Sequence, residues 1–337
     1  MTTRMRAIFG CSGARMSDAE RAFFREARPY GFILFGRNIE TPDQVRALVD
    51  ELRSTVGDAP ILIDQEGGRV ARLKPPHWKA RPPARRFGEL HETKPEAARE
   101  AAYLNARLIA ADLHALGIDV DCVPVLDVPV EGANDVIGDR AFARDPSVVI
   151  DLGRAVIEGM IDGGVLPVMK HIPGHGRAAA DTHHELPHVT TEAETLSASD
   201  FVTFRSLNQC PLAMTAHVVY DAIDAQRPAT TSPKVIREVI RGEIGFNGLL
   251  MSDDLSMNAL SGPISARAKS ALFAGCDIVL HCNGSMAEMA EVAQEGKPLE
   301  GPALKRAEAA RAHLSAPGTF DAAAAEARLA DLLGEWV

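Results

Sequence analysis

The sequence contains few cysteines and few basic residues, and each scarcity excludes a class of protein. Only five of its 337 residues are cysteine, and their spacing matches no zinc-binding pattern. An odd, small number of cysteines is typical of reduced thiols in a reducing compartment. Lys and Arg total 36 against 46 Asp and Glu, which gives a net charge of −10. An acidic chain of this kind is not expected to bind nucleic acid or an anionic membrane.

Long apolar runs are also missing from the sequence. No stretch approaches the length of a membrane span, and the short apolar run before Cys11 is too short for the core of a signal peptide. We therefore expect a soluble, cytoplasmic protein. Hydrophobic residues nevertheless make up 46% of the chain, which is enough to build a large core. The sequence does not indicate an oligomeric state.

Eight short apolar runs recur along the chain, separated by longer segments. Each is rich in Val, Ile, Leu or Met, as expected for parallel strands buried on both faces. The runs are Arg6–Gly10, Gly31–Phe35, Ile61–Gln65, Asp119–Val123, Leu166–Lys170, Leu212–Ala216, Gly248–Ser252 and Asp277–His281.

The segments between these runs carry helical patterns. In Thr41–Val56 the apolar residues recur at spacings of three and four. Further helices are predicted over Lys94–Leu116, Pro146–Gly163, Pro233–Ile244 and Ser265–Ala274. Asp145 is the predicted N-cap of the helix Pro146–Gly163. Strands that alternate with helices predict an α/β fold, a single (β/α)8 TIM-type barrel. A doubly wound open sheet is the alternative, because a strand count does not prove closure.

The chain has no segment that is typical of a linker between domains. We interpret the Pro-rich basic stretch Lys74–Arg86 as a long loop after the third strand. The Ala-rich tail over about 302–337 is predicted to be helical and to pack on the outside of the barrel. Residues 1–337 are therefore expected to form one domain.

Charged and polar residues stand where four of the predicted strands end. They follow the third, fifth, sixth and seventh runs, in Asp64–Arg72, Lys170–His175, His217 and Ser252–Met257. An unpaired charge at the end of a buried strand costs several kcal/mol, so a cluster of such ends calls for a functional reason. Active sites of α/β barrels lie at this C-terminal rim. We therefore predict the active site there.

The segment after the fifth strand is rich in histidine. Five of the 11 histidines lie between His171 and His188, and Asp181 stands two residues before His183. A carboxylate at that spacing can bind one imidazole nitrogen and leave the other free for proton transfer. The small residues around this pair favour a mobile loop that delivers polar groups over a pocket.

Three motifs together resemble glycoside hydrolase family 3, and within it the bacterial β-N-acetylglucosaminidases of peptidoglycan recycling. They read Ile-Asp-Gln-Glu-Gly-Gly-Arg-Val at 63–70, Lys-His-Ile-Pro-Gly-His-Gly with Asp-Thr-His at 170–183, and Gly-Phe-Asn-Gly-Leu-Leu-Met-Ser-Asp-Asp-Leu-Ser-Met at 245–257. The resemblance extends from about Gly31 to about Asn283. The family usually has Phe where this chain has Ile172, a conservative difference.

The resemblance implies a retaining, double-displacement mechanism. Asp253 would be the nucleophile, with Asp254 as the alternative because strand alternation does not choose between neighbours. His183 would be the general acid and base, and Asp181 would orient it. This histidine–aspartate pair replaces the second carboxylic acid that most retaining glycosidases use.

The resemblance also implies which residues hold the sugar and what the substrate is. Asp64, Arg72, Arg140, Lys170 and His171 would bind the sugar hydroxyls. The implied substrate is a small carbohydrate, N-acetylglucosamine β-linked to 1,6-anhydro-N-acetylmuramic acid, with or without peptide. No cofactor and no metal ion are expected.

Four other functions compete with this interpretation. A β-N-acetylglucosaminide phosphorylase could use the same histidine, because an imidazole does not repel incoming phosphate. A metal-dependent barrel hydrolase is disfavoured by the absence of His-x-His after the first strand and of His-Glu-x-x-His. A Schiff-base aldolase would need Lys170 in an apolar pocket. A sugar-binding protein without activity would not require Asp253.

Overall fold

Eight parallel strands close into a barrel in the computed structural model, which describes residues 3–178, 182 and 186–334. The strands are β1 (Met5–Gly10), β2 (Pro29–Leu34), β3 (Ile61–Ile63), β4 (Val120–Asp121), β5 (Leu166–Ile172), β6 (Leu212–Thr215), β7 (Leu249–Asp254) and β8 (Ile278–His281). All eight predicted runs are confirmed as strands. Because β1 pairs with β8 through Ala7 and Val279, the barrel is confirmed and the open-sheet alternative is wrong.

Helices surround this barrel and connect its strands. The longer ones span Asp18–Ala27, Pro42–Val56, Ala84–His91, Pro95–His114, Pro146–Asp162, Ala193–Ser206, Val235–Glu243, Ile264–Ala274, Met286–Glu295, Gly301–Arg311 and Ala322–Leu333. One of them, Val235–Glu243, is a π-helix. Short turns of helix lie at Gly36–Asn38, Gly138–Arg140, Asp221–Asp224 and Ala229–Thr231.

Local sequence signals fix where several of these helices begin. Asp145 is confirmed as an N-cap, since its side chain accepts a hydrogen bond from the backbone N–H of Ser147 at 2.8 Å. Thr41 caps the helix Pro42–Val56 in the same way, and both helices have proline in the first turn. A capping side chain satisfies a backbone donor that the helix cannot, and proline there loses no hydrogen bond.

Apolar side chains form two layers on either side of the barrel wall. One layer fills the interior, with Ile8, Ile33 and Leu62 among its members. The other lies between the strands and the surrounding helices, where Phe9, Leu34 and many others pack. Side chains of a strand alternate between its faces, so strands buried on both faces read as continuous apolar runs.

Two features differ from the sequence predictions. The segment Lys74–Arg86 was expected to be loop throughout, but its last residues belong to the helix Ala84–His91, so that boundary is wrong. Pro83 is the N-cap residue of this helix, a position at which the missing N–H of proline costs no helical hydrogen bond. The chain also forms a three-stranded sheet from His188–Val189, Val219–Tyr220 and Ala225–Pro228, which was not predicted.

The helix Gly301–Arg311 closes the end of the barrel where the strands begin. Ala303, Ala307 and Ala310 pack against the interior layer. Arg306 donates to the carboxylate of Asp277 at 2.9 Å, immediately before β8. The opposite, C-terminal end of the barrel is the end that carries the cavity described below. Among the described residues, no helix has the length and apolarity that crossing a membrane requires.

Candidate active site

A cavity of about 280 Å³ opens at the C-terminal ends of the barrel strands. All six predicted site residues that the structure describes line it: Asp64, Arg72, Arg140, Lys170, His171 and Asp253. The other polar residues of the lining are Glu66, His175, Thr182 and Asp254. The remaining lining is apolar, with Phe35, Met214 and Met257 among its members. The fold thus brings together residues from four separate strand ends.

Asp181 and His183 lie outside the described residues. Thr182, which stands between them in sequence, is buried and lines the cavity. Its carbonyl oxygen accepts a hydrogen bond from the backbone N–H of Ala259 at 3.1 Å. The segment that follows β7 is therefore in contact with this point of the chain.

Lys170 lies between two carboxylates on the wall of the cavity. Its Nζ is 2.9 Å from Oδ1 of Asp64 and 2.6 Å from Oε1 of Glu66. Burial alone lowers the pKa of Lys170, but the two carboxylates outweigh burial and the pKa is raised. A Schiff-base lysine needs the opposite shift, so this environment disfavours the aldolase alternative.

Glu66 completes a row of charges of alternating sign, and the sequence prediction missed it. Arg140 donates to both of its oxygens, from Nε and Nη2, at 2.8 Å each. Burial raises the pKa of Glu66, but Lys170 and Arg140 outweigh that effect and bring it to about 2. The row continues through Lys170 and Asp64 to Arg72, whose Nη2 lies 3.2 Å from Asp64. Such a row presents fixed donors and acceptors to a polar ligand.

A tight turn after Glu66 returns the chain so that Arg72 lies beside Asp64. Gly67 and Gly68 both have positive φ, and a Cβ on Gly67 would lie 2.3 Å from the carbonyl oxygen of Pro82. Only glycine fits this close approach in this conformation. The Gly-Gly pair of the motif is therefore explained by backbone geometry.

Arg69 fixes the loop that carries Arg140. It donates to the carboxylate of Asp139 at 2.9 Å and to the carbonyl oxygens of Asp135 and Val136 at 2.7 and 2.8 Å. This loop lies between β4 and the helix Pro146–Asp162. Arg69 thereby contributes to the site indirectly, by holding the segment from which Arg140 reaches Glu66.

His171 binds the buried carboxylate of Asp127, a residue that the sequence prediction did not assign to the site. The Nδ1 of His171 lies 2.7 Å from Oδ2 of Asp127, and Asp127 is fully buried. Burial raises the pKa of Asp127, but His171 and the hydrogen bond from the His175 backbone N–H outweigh it and lower the pKa to about 2. The carboxylate is therefore ionised at neutral pH. In contrast, burial lowers the pKa of His175 to about 4, so that ring is neutral.

The two adjacent aspartates at the end of β7 differ in their hydrogen bonds. The carboxylate of Asp254 accepts from the backbone N–H groups of Ser256 and Cys282 at 3.0 and 3.1 Å, and from the Ser256 hydroxyl. Within the described part of the chain, the carboxylate of Asp253 accepts only from the backbone N–H of Asp254, at 2.8 Å. Asp253 therefore has an oxygen that no described residue engages.

The charge state of Asp253 suits attack on an electrophile. Burial on its own raises the pKa of Asp253, but His217 and His171 outweigh it, and the pKa is lowered. His217 also fixes the end of β7, because its Nε2 lies 3.0 Å from the carbonyl oxygen of Asp254. The result is an anionic carboxylate held at the cavity by a rigid strand end.

No group of three or more His, Cys, Asp or Glu side chains is placed to hold a metal ion within residues 3–178, 182 and 186–334. Most of the polar groups that line the cavity are paired with one another or with backbone groups, whereas Nδ1 of His175 and one oxygen of Asp253 have no partner among the described residues. The arrangement provides hydrogen-bond donors and acceptors on one side and a carboxylate on the other.

The chain is similar to proteins of known family. A model of the glycosyl hydrolase family 3 N-terminal domain matches residues 4–311. A beta-hexosaminidase of Methylococcus capsulatus is 44% identical over 280 residues, which cover 82% of each chain. A beta-hexosaminidase of Alkalilimnicola ehrlichii is 43% identical over 282 residues, which cover 82% of this chain and 80% of the relative. The crystal structure of NagZ from Neisseria gonorrhoeae in complex with N-trifluoroacetyl-D-glucosamine has a TM-score of 0.89 at 31% identity, covering 98% of this chain and 99% of that one.

Proposed function

The chain belongs to glycoside hydrolase family 3, as its three motifs indicated, and on this premise we propose that it is a retaining exo-β-N-acetylglucosaminidase. The relatives named beta-hexosaminidase support the activity, and the neighbour crystallised with an N-acylglucosamine supports the sugar. A cavity of about 280 Å³ is small for a binding pocket and suits one sugar ring. This size favours removal of a terminal sugar over cleavage within a chain.

The observation that carries the mechanism is the contrast between the two aspartates of β7. Asp253 has a lowered pKa and a carboxylate oxygen without a described partner, whereas the oxygens of Asp254 are bound by Ser256 and Cys282. A nucleophile must be anionic and free to approach the reacting carbon. Asp253 is therefore the proposed nucleophile, and Asp254 is the residue that stabilises the strand end.

In the first step a carboxylate oxygen of Asp253 attacks the anomeric carbon and the bond to the leaving oxygen breaks. His183 gives its proton to that oxygen, and Asp181 stabilises the imidazolium before the transfer. In the second step His183 takes a proton from water, the water oxygen bonds to the anomeric carbon, and Asp253 is released. His183 and Asp181 are proposed to come from the same chain as Asp253, because residues 1–337 are proposed to form one domain.

The charged row on the opposite wall would hold the sugar ring. Asp64 can accept hydrogen bonds from hydroxyl groups, and Arg72, Arg140 and Lys170 can donate to them. His171 would contribute its free ring nitrogen. Because the row is fixed by its own ion pairs, it pays little ordering entropy when the sugar binds.

The proposed natural substrate is N-acetylglucosamine β-linked to 1,6-anhydro-N-acetylmuramic acid, with or without peptide. This follows from the family resemblance to enzymes of peptidoglycan recycling and from the small, polar cavity. The proposed compartment is the cytoplasm, in keeping with five buried free cysteines.

Covalent trapping tests this proposal directly. The protein is incubated with a 2-acetamido-2-deoxy-5-fluoro glycosyl fluoride, and the intact mass and peptide map are measured. A sugar adduct at Asp253 is expected. Hydrolysis of an aryl N-acetylglucosaminide without any adduct would overturn the double-displacement mechanism, and an adduct at Asp254 would overturn the choice of nucleophile. Turnover that requires phosphate would identify the phosphorylase instead.

A further inference from the structure

Asp127 is a buried carboxylate that contacts residues of the site but does not itself line the cavity. It lies just after β4, and none of its surface is exposed. Its Oδ1 accepts from the backbone N–H groups of His171 and His175 at 3.2 and 2.7 Å, and its Oδ2 lies 2.7 Å from Nδ1 of His171. These partners all belong to the end of β5 and the residues that directly follow it.

An ionised carboxylate can only accept hydrogen bonds. Every partner of Asp127 must therefore donate, and Nδ1 of His171 must carry a hydrogen whether the ring is neutral or cationic. With Nδ1 occupied, Nε2 is the only ring nitrogen that His171 can offer to a ligand in the cavity it lines. The carboxylate consequently fixes both the orientation and the tautomer of the ring.

We propose that Asp127 is a positioning residue that acts through His171, holding its Nε2 toward the sugar with a lone pair available when the ring is neutral. Asp127 makes no contact with the substrate in this arrangement. The identity of the ligand rests on the function proposed above, whereas the control of the tautomer rests on the contacts of Asp127 alone. In other enzymes, a carboxylate that orients a catalytic histidine controls the tautomer of that histidine in the same way.

The substitution Asp127→Asn separates the tautomer from the fold. The asparagine carbonyl can still accept from the two backbone N–H groups, so its NH2 group then faces Nδ1 of His171. Two donors cannot share that contact, so the ring hydrogen must move to Nε2. The nitrogen that faces the cavity becomes a donor only. We expect kcat/KM for an aryl N-acetylglucosaminide to fall roughly 10- to 100-fold.

The tautomer is measured by long-range 1H–15N NMR of uniformly labelled full-length protein, with His171→Gln identifying the His171 signals. In the wild type we expect Nδ1 to carry the hydrogen at neutral pH, and in Asp127→Asn we expect Nε2 to carry it. Wild-type protein with an unprotonated Nδ1 would overturn the proposal. This measurement requires no activity, so its result is independent of the proposed function.

A double-mutant cycle tests whether Asp127 acts through His171. The double variant Asp127→Asn/His171→Gln is expected to lose no more kcat/KM than His171→Gln alone. Losses that multiply would contradict the proposal and indicate a structural role.

The matched control is Asp277→Asn, a buried carboxylate at the other end of the barrel that binds Arg241 and Arg306. It should lower the melting temperature and leave the His171 tautomer unchanged. If Asp127→Asn does not fold, the protonation of Nδ1 of His171 in the wild-type NMR spectrum tests the proposal by itself.

Discussion

The ammonium nitrogen of Lys170 lies 2.6 Å from Oε1 of Glu66, and each of the two Glu66 oxygens accepts one hydrogen bond from Arg140. Glu66→Gln removes the negative charge between these two cations. We expect kcat/KM to fall about 10- to 100-fold, because both cations lose the partner that orients them. Breaking a buried ion pair also costs about 3 kcal/mol of unfolding free energy.

The matched control for this variant is Glu295→Gln. Glu295 lies 3.8 Å from Lys269, whose side chain is 71% exposed. An exposed pair of this kind contributes about 0–1 kcal/mol, so stability and kcat/KM should hardly change. If both variants behave alike in enzyme assays and in urea unfolding, Glu66 does not support the site.

The two aspartates of β7 should respond differently to substitution. Asp253→Ala should lower kcat by about 10⁴-fold or more while the protein stays folded, because it removes the nucleophile. Asp254→Asn should mainly lower the unfolding free energy, by about 1–3 kcal/mol, since its carboxylate binds Ser256 and Cys282. Azide should restore turnover to Asp253→Ala. Equal losses of kcat in the two variants, with no rescue, would contradict the assignment.

His183→Ala should be most damaging when the leaving group is a poor one. An activated aryl group departs with little protonation, whereas a sugar alcohol needs a proton from the general acid. We expect kcat/KM to fall about 10²- to 10⁴-fold with a sugar leaving group and far less with a nitrophenyl group. Steady-state kinetics on the two substrates provide the comparison. Equal losses would show that His183 is not the acid.

Asp121 should make the protein less stable as the pH rises. This carboxyl is fully buried, its Oδ2 has no described partner, and burial raises its pKa to about 8. Between the pKa of the unfolded chain, near 3.9, and about 8, the folded state holds a proton that the unfolded state has released. Its contribution to stability is therefore complete below pH 4 and is lost as the pH rises, at up to about 1.4 kcal/mol per pH unit.

Asp121→Asn should remove this dependence, because the amide can accept from Gln65 as Asp121 does and carries no proton to lose. Urea unfolding of both proteins at several pH values between 5 and 8 measures the difference. The variant should gain stability relative to the wild type as the pH increases. A constant difference across that range would mean that Asp121 stays ionised in the folded protein.

The barrel strands were predictable because a strand buried on both faces is apolar at every position, whatever lies around it. The three-stranded sheet was not predictable in this way: Ala225, Gln226 and Arg227 are exposed, so no apolar pattern marks that strand. Its pairing depends on tertiary contacts between segments that look like loops.

Most of the cavity lining followed from the motifs, but Glu66 and Asp127 were missed for different reasons. Glu66 stands three residues beyond the end of β3, where strand alternation no longer predicts the direction of a side chain. Asp127 binds His171 across a long sequence separation, and no local pattern encodes such a contact. Sequence patterns identify groups that face a ligand more readily than groups that support them.

Ring closure has a consequence for the incomplete chain. β1 and β7 both pair with β8, which follows the other seven barrel strands along the chain. Until residues 278–281 are available, each of these two strands has an unpaired edge whose N–H and C=O groups can pair with another molecule. Fragments that end before β8 should therefore aggregate. In a newly made chain, pairing with β8 removes the two exposed edges and so prevents self-association through them.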